Sequence, residues 1–228
     1  QIVNYFASLN DVDFTIKNQD GDNYLHTLCN KNNLNIVKHF VSLNKIKLTE
    51  KNKKGENPLH IACKMGNLEL VKYLVSLNKI NVREVDKYGK NAMHHACTNE
   101  RYSLQIAMYL ISLNKIDLDA KDKEKRTVLF YAVKLDNIDL FQLFVKSHEF
   151  DYNEQDEDGE TILHYACSKQ NFDLVQNIIS LGANTTIKDN DGLTILHIAC
   201  ARGNYDMVDY LVNHKEININ EGDKNGRT

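Results

Sequence analysis

The chain has 228 residues, of which 42% are hydrophobic and 26% are charged, and its formal net charge is −3. This near-neutral balance gives no support to a global charge attraction for nucleic acid or for a membrane surface. No apolar run approaches the roughly 18 residues of a membrane-spanning helix, and the first residues lack the basic segment and cleavage pattern of a signal peptide.

The five cysteines are spread singly along the chain. A secreted disulfide scaffold is usually shorter, denser in cysteine and even in cysteine count. We therefore expect a reducing, intracellular compartment, and the cytoplasm in particular. Because the chain begins without methionine, we also expect it to be a fragment of a longer protein.

A glycine within a polar segment recurs along the chain at intervals of 33 to 36 residues. A fixed period of this length predicts a stacked repeat array. Lys125 fills the one slot in which the glycine is missing, and the positive φ expected there costs a lysine on the order of 1 kcal/mol. The glycines of the series are Gly21, Gly55, Gly89, Gly159, Gly192 and Gly226.

Each unit of the series has the pattern of a polar turn followed by two short helices. In the second unit Asn57 is a helix N-cap, and Pro58 follows at the first helical position, where its missing N–H costs nothing. Gly66 and Asn67 are expected to end this helix, and the second helix begins near Leu68. Neither helix exceeds about ten residues, so each must bury its apolar face against a neighbouring unit.

In chain order, the period divides the sequence into a partial repeat, six full repeats and a second partial repeat. In the first partial repeat, residues 1–17, we expect Ile2, Val3, Tyr5 and Phe6 to belong to the second helix of an earlier unit, by their likeness to the second helices of the full repeats. We expect residues 1–228 to form one domain. The full repeats span residues 18–51, 52–85, 86–121, 122–155, 156–188 and 189–222, and the last partial repeat spans residues 223–228.

A five-residue phrase follows the turn in five of the units: Leu or Met, His, any residue, an apolar and usually small residue, then Cys. Histidine and cysteine are good zinc ligands, but the fourth unit replaces the pair with Phe130 and Val133. Units packed roughly 10 Å apart also hold successive pairs too far apart for one ion. The phrase therefore predicts a packing element, and we expect no metal and no cofactor. The pairs are His26 with Cys29, His60 with Cys63, His94 with Cys97, His164 with Cys167 and His197 with Cys200.

The whole unit resembles the ankyrin repeat. The matching pattern is Asp/Asn-x-x-Gly-x-Thr/Asn-x-Leu-His-x-Ala-Cys, a polar break, and then Leu-x-Leu-Val-x-x-Leu-Val. The resemblance implies an all-α repeat solenoid of helix pairs, joined by β-hairpin tips and curved into a concave groove. It also implies hydrogen bonds, within and between units, between each phrase histidine and the residue three positions earlier. These pairs are Asn23 with His26, Asn57 with His60, Asn91 with His94, Thr161 with His164 and Thr194 with His197.

Four histidines fall outside this pattern, and we expect each of them at the surface or at the edge of the core. The sequence contains no set of nucleophile, base and orienting group, no phosphate-binding loop and no His-Glu-x-x-His motif. We therefore expect no catalytic site and no enzyme activity. The four histidines are His39, His95, His148 and His214.

The resemblance implies that the residues beside the turn glycine, and those just after the phrase, face a partner. They are mostly basic in the second to fourth repeats and mostly acidic in the fifth. A partner of complementary charge is one interpretation, with binding that weakens as salt is added. An ordinary solvated surface is the other. The residues are Lys53, Lys54, Glu56, Lys64, Met65, Lys87, Tyr88, Lys90, Lys123, Glu124, Arg126, Lys134, Leu135, Glu157, Asp158, Glu160, Ser168 and Lys169.

The sequence thus predicts a monomeric protein–protein interaction scaffold that binds a protein or peptide through its hairpin tips and concave helix faces. A regulatory or targeting segment of a larger enzyme or channel is the alternative, and a metal or redox protein is a third hypothesis. We expect neither nucleic-acid binding nor membrane insertion.

Overall fold

The structure is a computed structural model that describes residues 13, 15–44 and 46–228. The predicted helix containing Ile2, Val3, Tyr5 and Phe6 lies outside these residues. Within the described part of the chain there are twelve α-helices and no β-strand, which confirms the all-α repeat class. None of the described helices is long and apolar enough to cross a membrane.

The helices come in pairs, one pair to each predicted full repeat. They are α1 (Tyr24–Asn30), α2 (Leu34–Ser42), α3 (Pro58–Lys64), α4 (Leu68–Ser76), α5 (Ala92–Ala96), α6 (Ser103–Ser112), α7 (Val128–Lys134), α8 (Ile138–Ser147), α9 (Ile162–Ser168), α10 (Phe172–Ser180), α11 (Ile195–Arg202) and α12 (Tyr205–Val212).

The chain divides into two compact units. The first ends at Ala120 and contains α1–α6, and the second is Lys121–Thr228 and contains α7–α12. The division falls just before the predicted start of the fourth repeat. The single domain over residues 1–228 and the individual repeat boundaries stay predictions.

Asparagine side chains begin most of the second helices. Asn67 was expected to end α3 together with Gly66, but its side chain accepts a hydrogen bond from the backbone N–H of Leu70 at 3.0 Å and so caps α4. An N-cap of this kind stabilises a helix by about 1 kcal/mol. The same role is filled by Asn33 for α2, Asn137 for α8, Asn171 for α10 and Asn204 for α12.

The third repeat, which carries two extra residues, departs from this pattern. Its first helix, α5, has only five residues, and Tyr102 precedes α6 without a side-chain cap. Asn99 instead accepts from the Tyr102 backbone N–H at 3.0 Å and donates to the carbonyl of Lys64 at 3.3 Å. A Cβ at Gly66 would lie 2.7 Å from the Tyr102 ring, so the insertion packs closely on the preceding repeat.

The core forms where the alanine of the phrase lets neighbouring helices approach. These alanines are fully buried, whereas Leu28, which replaces the alanine in the first repeat, is only half-buried. Leu70, Val71 and Leu74 of α4 are fully buried behind them. Short helices that are marginal alone thus gain their stability from contacts between repeats. The buried alanines are Ala62, Ala96, Ala132, Ala166 and Ala199.

The tips between helix pairs are tight turns, and within each unit a backbone hydrogen bond links one turn to the next. Gly55 has a φ of +79°, and a Cβ there would lie 2.7 Å from the backbone nitrogen of Lys87. That nitrogen donates to the carbonyl of Lys54 at 2.9 Å. Lys125 has a φ of +61°, which confirms the positive φ expected from the glycine series.

The phrase histidine ties its own helix start to the chain leading into the next turn. Nδ1 of His60 accepts from the Asn57 backbone N–H at 3.2 Å, and Nε2 donates to the carbonyl of Glu84 at 3.0 Å. All five predicted pairings within a unit are present. Burial, and then the neighbouring His95, lower the pKa of His60 from its ordinary 6.5 to about 4. Burial also lowers the pKa values of His26 and His164.

Lys125→Gly is expected to raise the free energy of unfolding by about 1 kcal/mol, because glycine adopts positive φ without a steric penalty. Chemical denaturation measures the change. Lys123→Gly is the matched control, since it adds the flexibility of glycine at an exposed turn position and relieves no positive φ. A loss of stability in both variants would contradict the prediction.

The folded state is expected to lose stability as the pH falls from about 6.5 to about 4, the interval between the ordinary and the folded pKa of His60. In this interval the unfolded state binds more protons than the folded state, so unfolding becomes more favourable. His60 alone accounts for on the order of 3 kcal/mol. Urea denaturation at pH 7.5 and pH 4.5 checks the trend. His60→Phe, which copies Phe130 of the fourth repeat, should flatten the profile, and an unchanged profile would argue against His60 as a source.

Candidate functional site

In the first unit, predicted partner-binding side chains project from two linked turns. Lys53 and Lys54 lie on one turn and Lys87 and Tyr88 on the next, and all four side chains are exposed. The backbone bond from Lys87 to Lys54 keeps the two turns together. None of the three lysines forms an ion pair with any described residue, and Tyr88 is 52% exposed. We call these four residues the basic tip surface.

Glu56 was expected to face a partner, but its side chain is buried. It accepts a hydrogen bond from Asn52 Nδ2 at 2.8 Å, and Lys64 Nζ lies 3.5 Å from its other oxygen. Burial raises the pKa of this carboxyl, but the Asn52 hydrogen bond and the Lys64 ammonium outweigh that effect and hold the pKa below its usual value. Lys64 is exposed, whereas Met65 and Lys90 are half-buried.

In the second unit, Arg126 is the other predicted contact residue whose position needs correction. Its guanidinium is buried beside Asp122, with Nη2 3.3 Å from Oδ2, and it also pairs with Glu124. A buried arginine paired in this way supports the turn and is not available to a partner. The remaining predicted residues of this unit are exposed at Lys123, Glu124, Lys134, Glu157, Asp158 and Lys169, and half-buried at Leu135, Glu160 and Ser168.

A groove of about 450 Å³ in the second unit brings predicted and unpredicted residues together. Glu160 and Ser168 line it, and burial together with the nearby Asp156 and Asp189 carboxylates raises the pKa of Glu160. The same positional rule, applied one repeat further along the chain, would have found Leu193, Ala201 and Arg202. It would have missed Ile198, the variable residue of the phrase, which also lines the groove.

The first unit has a smaller and more polar groove of about 170 Å³ beside the basic tip surface. Lysine and carboxylate side chains line it together. Because the lining carries both positive and negative charges, this groove suits a polar or charged side chain of a partner better than an apolar one. The lining residues are Asp20, Asp22, Asn30, Asn52, Lys54, Glu56, Ile61 and Lys64.

The cysteines of the phrase behave as buried packing groups. Burial raises the pKa of the Cys29 and Cys167 thiols to about 12 and raises the pKa values of Cys63 and Cys97 further. A buried thiol of this kind stays protonated and packs as a small hydrophobic group. Only Cys200 is exposed, and all five cysteines are free.

His95 was expected at the surface or core edge, but it is buried and has specific partners. Nε2 lies 3.0 Å from Asp86 Oδ2, and the ring stacks on His60 with a centroid separation of 4.9 Å. Glu56 completes a group of three potential ligands with Asp86 and His95. The pattern of a single repeat does not indicate this contact, because Glu56 and His95 belong to neighbouring repeats and lie 39 positions apart.

Comparisons with known proteins agree with this geometry. The family described as ankyrin repeats in three copies matches residues 1–84, 25–122, 77–156, 100–189 and 163–228. The crystal structure of the ankyrin repeat domain of Bcl-3, a member of the IkappaB protein family, is 26% identical with a TM-score of 0.72, covering 92% of this chain and 93% of that chain. A chain in the structure of the Bd0816 predatory endopeptidase from Bdellovibrio bacteriovorus in complex with immunity protein Bd3460 is 27% identical with a TM-score of 0.74, covering 88% of this chain and 100% of that chain. No curated protein sequence matches.

One of the five thiols is expected to react quickly with a thiol reagent in the native protein, because Cys200 alone is exposed. The other four should react only as the protein unfolds. Absorbance-monitored labelling with and without denaturant measures the two phases. Cys200→Ser should remove the fast phase, and its persistence in that variant would show that one of the other four cysteines is accessible.

Proposed function

This chain belongs to the ankyrin repeat family, and we propose that it is a protein–protein interaction scaffold. In this proposal, exposed side chains of the turns and of the first-helix ends bind a protein or peptide. Similar chains include the Bcl-3 ankyrin repeat domain and a chain from a complex of an endopeptidase with an immunity protein. Those likenesses support an interaction role without identifying the partner.

The basic tip surface is the observation that carries the proposal. Several other lysines at the turns and their flanks are paired with a carboxylate, such as Lys51 with Glu84 at 3.0 Å. Lys53, Lys54 and Lys87 form no such pair with the described residues, and the exposed Tyr88 lies on the same turn as Lys87. Unpaired positive charges on linked turns favour a partner with acidic groups, because complementary charge speeds association and selects against other partners.

The acidic residues of the second unit support a separate contact of the opposite sign. Glu157 and Asp158 are exposed on one turn, and the backbone N–H of Asn190 donates to the carbonyl of Asp158 at 2.9 Å. The groove lined by Glu160 and Arg202 lies in the same unit. A basic or mixed-charge segment is the partner chemistry that this surface favours.

Charge reversal of Lys53, Lys54 and Lys87 to glutamate is expected to weaken partner binding at least tenfold, which corresponds to about 1.4 kcal/mol. Proteins captured from cell extract by the wild-type chain would be quantified on the wild-type and the variant chain. The matched control reverses Lys38, Lys79 and Lys115, three exposed lysines of the first unit outside the basic tip surface, with the same total change in charge.

Binding should also weaken as salt rises from about 50 to about 500 mM, because exposed charge pairs are screened. Equal capture by the wild-type, the tip variant and the control variant would refute the basic tip surface as the contact. Equal loss in both variants would show that only net charge matters.

A further inference from the structure

Three side chains from different parts of the first unit converge in its interior. Glu56 comes from the second turn, Asp86 from the third turn and His95 from α5. One ligand atom from each lies within 4.8 Å of the other two, and the residues are only 6%, 7% and 4% exposed. Two buried carboxylates have to be balanced by positive charge, because isolated buried charge is very costly, and among the described residues Lys64 is the one ammonium within 4 Å of either.

The repeats themselves show that this combination is unusual. In the second unit the corresponding three positions hold Arg126, Asp156 and Tyr165. There the Tyr165 hydroxyl donates to Asp156 Oδ2 at 2.8 Å, and Arg126 hydrogen-bonds to the same tyrosine. Glu56 therefore puts a negative charge where that repeat supplies a positive one. His95 puts a nitrogen ligand where that repeat supplies a phenol.

Surrounding hydrogen bonds orient the three ligands toward one another. Asp86 Oδ1 accepts from the backbone N–H groups of Tyr88 and Lys90 at 2.8 and 2.9 Å, which leaves Oδ2 directed at His95. Asn52 Nδ2 holds one oxygen of Glu56 at 2.8 Å. Such outer contacts fix ligand geometry in metal sites and are part of the affinity.

We propose that Glu56, Asp86 and His95 form a binding site for a divalent transition-metal cation of the zinc type. Ligands bound tetrahedrally to one zinc ion at about 2.1 Å lie about 3.4 Å apart, so the three atoms would have to approach one another by up to about 1.4 Å to bind one ion. The imidazole favours zinc, cobalt or nickel over magnesium and calcium, which prefer oxygen ligands throughout. His60 is not a ligand, because both its ring nitrogens are hydrogen-bonded to the backbone.

Lys64 competes with the cation and also marks its route of entry. Its ammonium lies 3.5 Å from Glu56, while 47% of its side chain is exposed and free to swing outward. Glu56 and Lys64 both line the 170 Å³ groove of the first unit, which brings Glu56, one of the three ligands, to a solvent-filled space. A cation that enters replaces the lysine as the partner of Glu56.

The test is calorimetric titration of the full chain with Zn²⁺ at pH 7.5, in a Cys200→Ser background that removes the exposed thiol. One equivalent of zinc is expected to bind and to raise the melting temperature. Co²⁺ in the same protein should give visible absorption bands from a site with nitrogen and oxygen ligands. Zinc-free protein with no binding up to millimolar Zn²⁺ would overturn the proposal, and would indicate that His95 and Lys64 alone balance the carboxylates.

The repeats supply variants that should still fold. His95→Tyr copies Tyr165, and Asp86→Asn copies the turn residue Asn52. Each is expected to weaken zinc binding at least tenfold with an unchanged circular dichroism spectrum. Lys64→Met should tighten binding, because it removes the competing ammonium.

His214→Gln, in the second unit, is the matched control and should bind zinc as the starting protein does. Equal zinc affinity in the His95→Tyr and His214→Gln variants would place the ion elsewhere and refute the assignment.

Discussion

In the second repeat, the hydrogen-bonded histidine ring of the phrase connects the start of its own helix to the segment that leads into the next turn. The positions of the tip residues depend on these hydrogen bonds. Both nitrogens of the buried His60 ring bond to backbone groups, of Asn57 and of Glu84. Buried polar groups have to be satisfied, so this pair of bonds specifies one arrangement of the two segments. Because the partners are backbone atoms, the arrangement does not depend on the side chains that the turns carry.

That independence leaves the tips free to vary in charge. Lys54 and Lys87 occupy linked turns in the first unit, and Glu124 and Glu157 occupy linked turns in the second, with the same backbone bond in both. The scaffold can therefore present a basic surface in one unit and an acidic surface in the other without a change in fold. The buried position after the turn glycine also varies, since it holds Glu56 in the second repeat and Arg126 in the fourth. A change in the sign of a buried charge has to be balanced by another charged group.

Local patterns in the sequence were sufficient for the features that depend on a single repeat. The helix pairs, the pairings of asparagine or threonine with histidine, and the positive φ at Lys125 all follow from residues a few positions apart. Predictions that depended on the tertiary contacts of a side chain were less successful. Asn67 was expected to end the first helix of its repeat, and its side chain caps the second. Glu56 and Arg126 were expected to face a partner, and both are buried.

The period, the ankyrin repeat class and the register of each turn can be derived from the amino-acid order, because these depend on helix spacing, capping and glycine conformation. The packing of one repeat on the next decides which charged side chains are exposed and which are buried. Glu56, Asp86 and His95 belong to two repeats, and their meeting depends on how those repeats stack. Contacts across a repeat boundary join residues about one period apart, so no pattern within a single repeat reveals them.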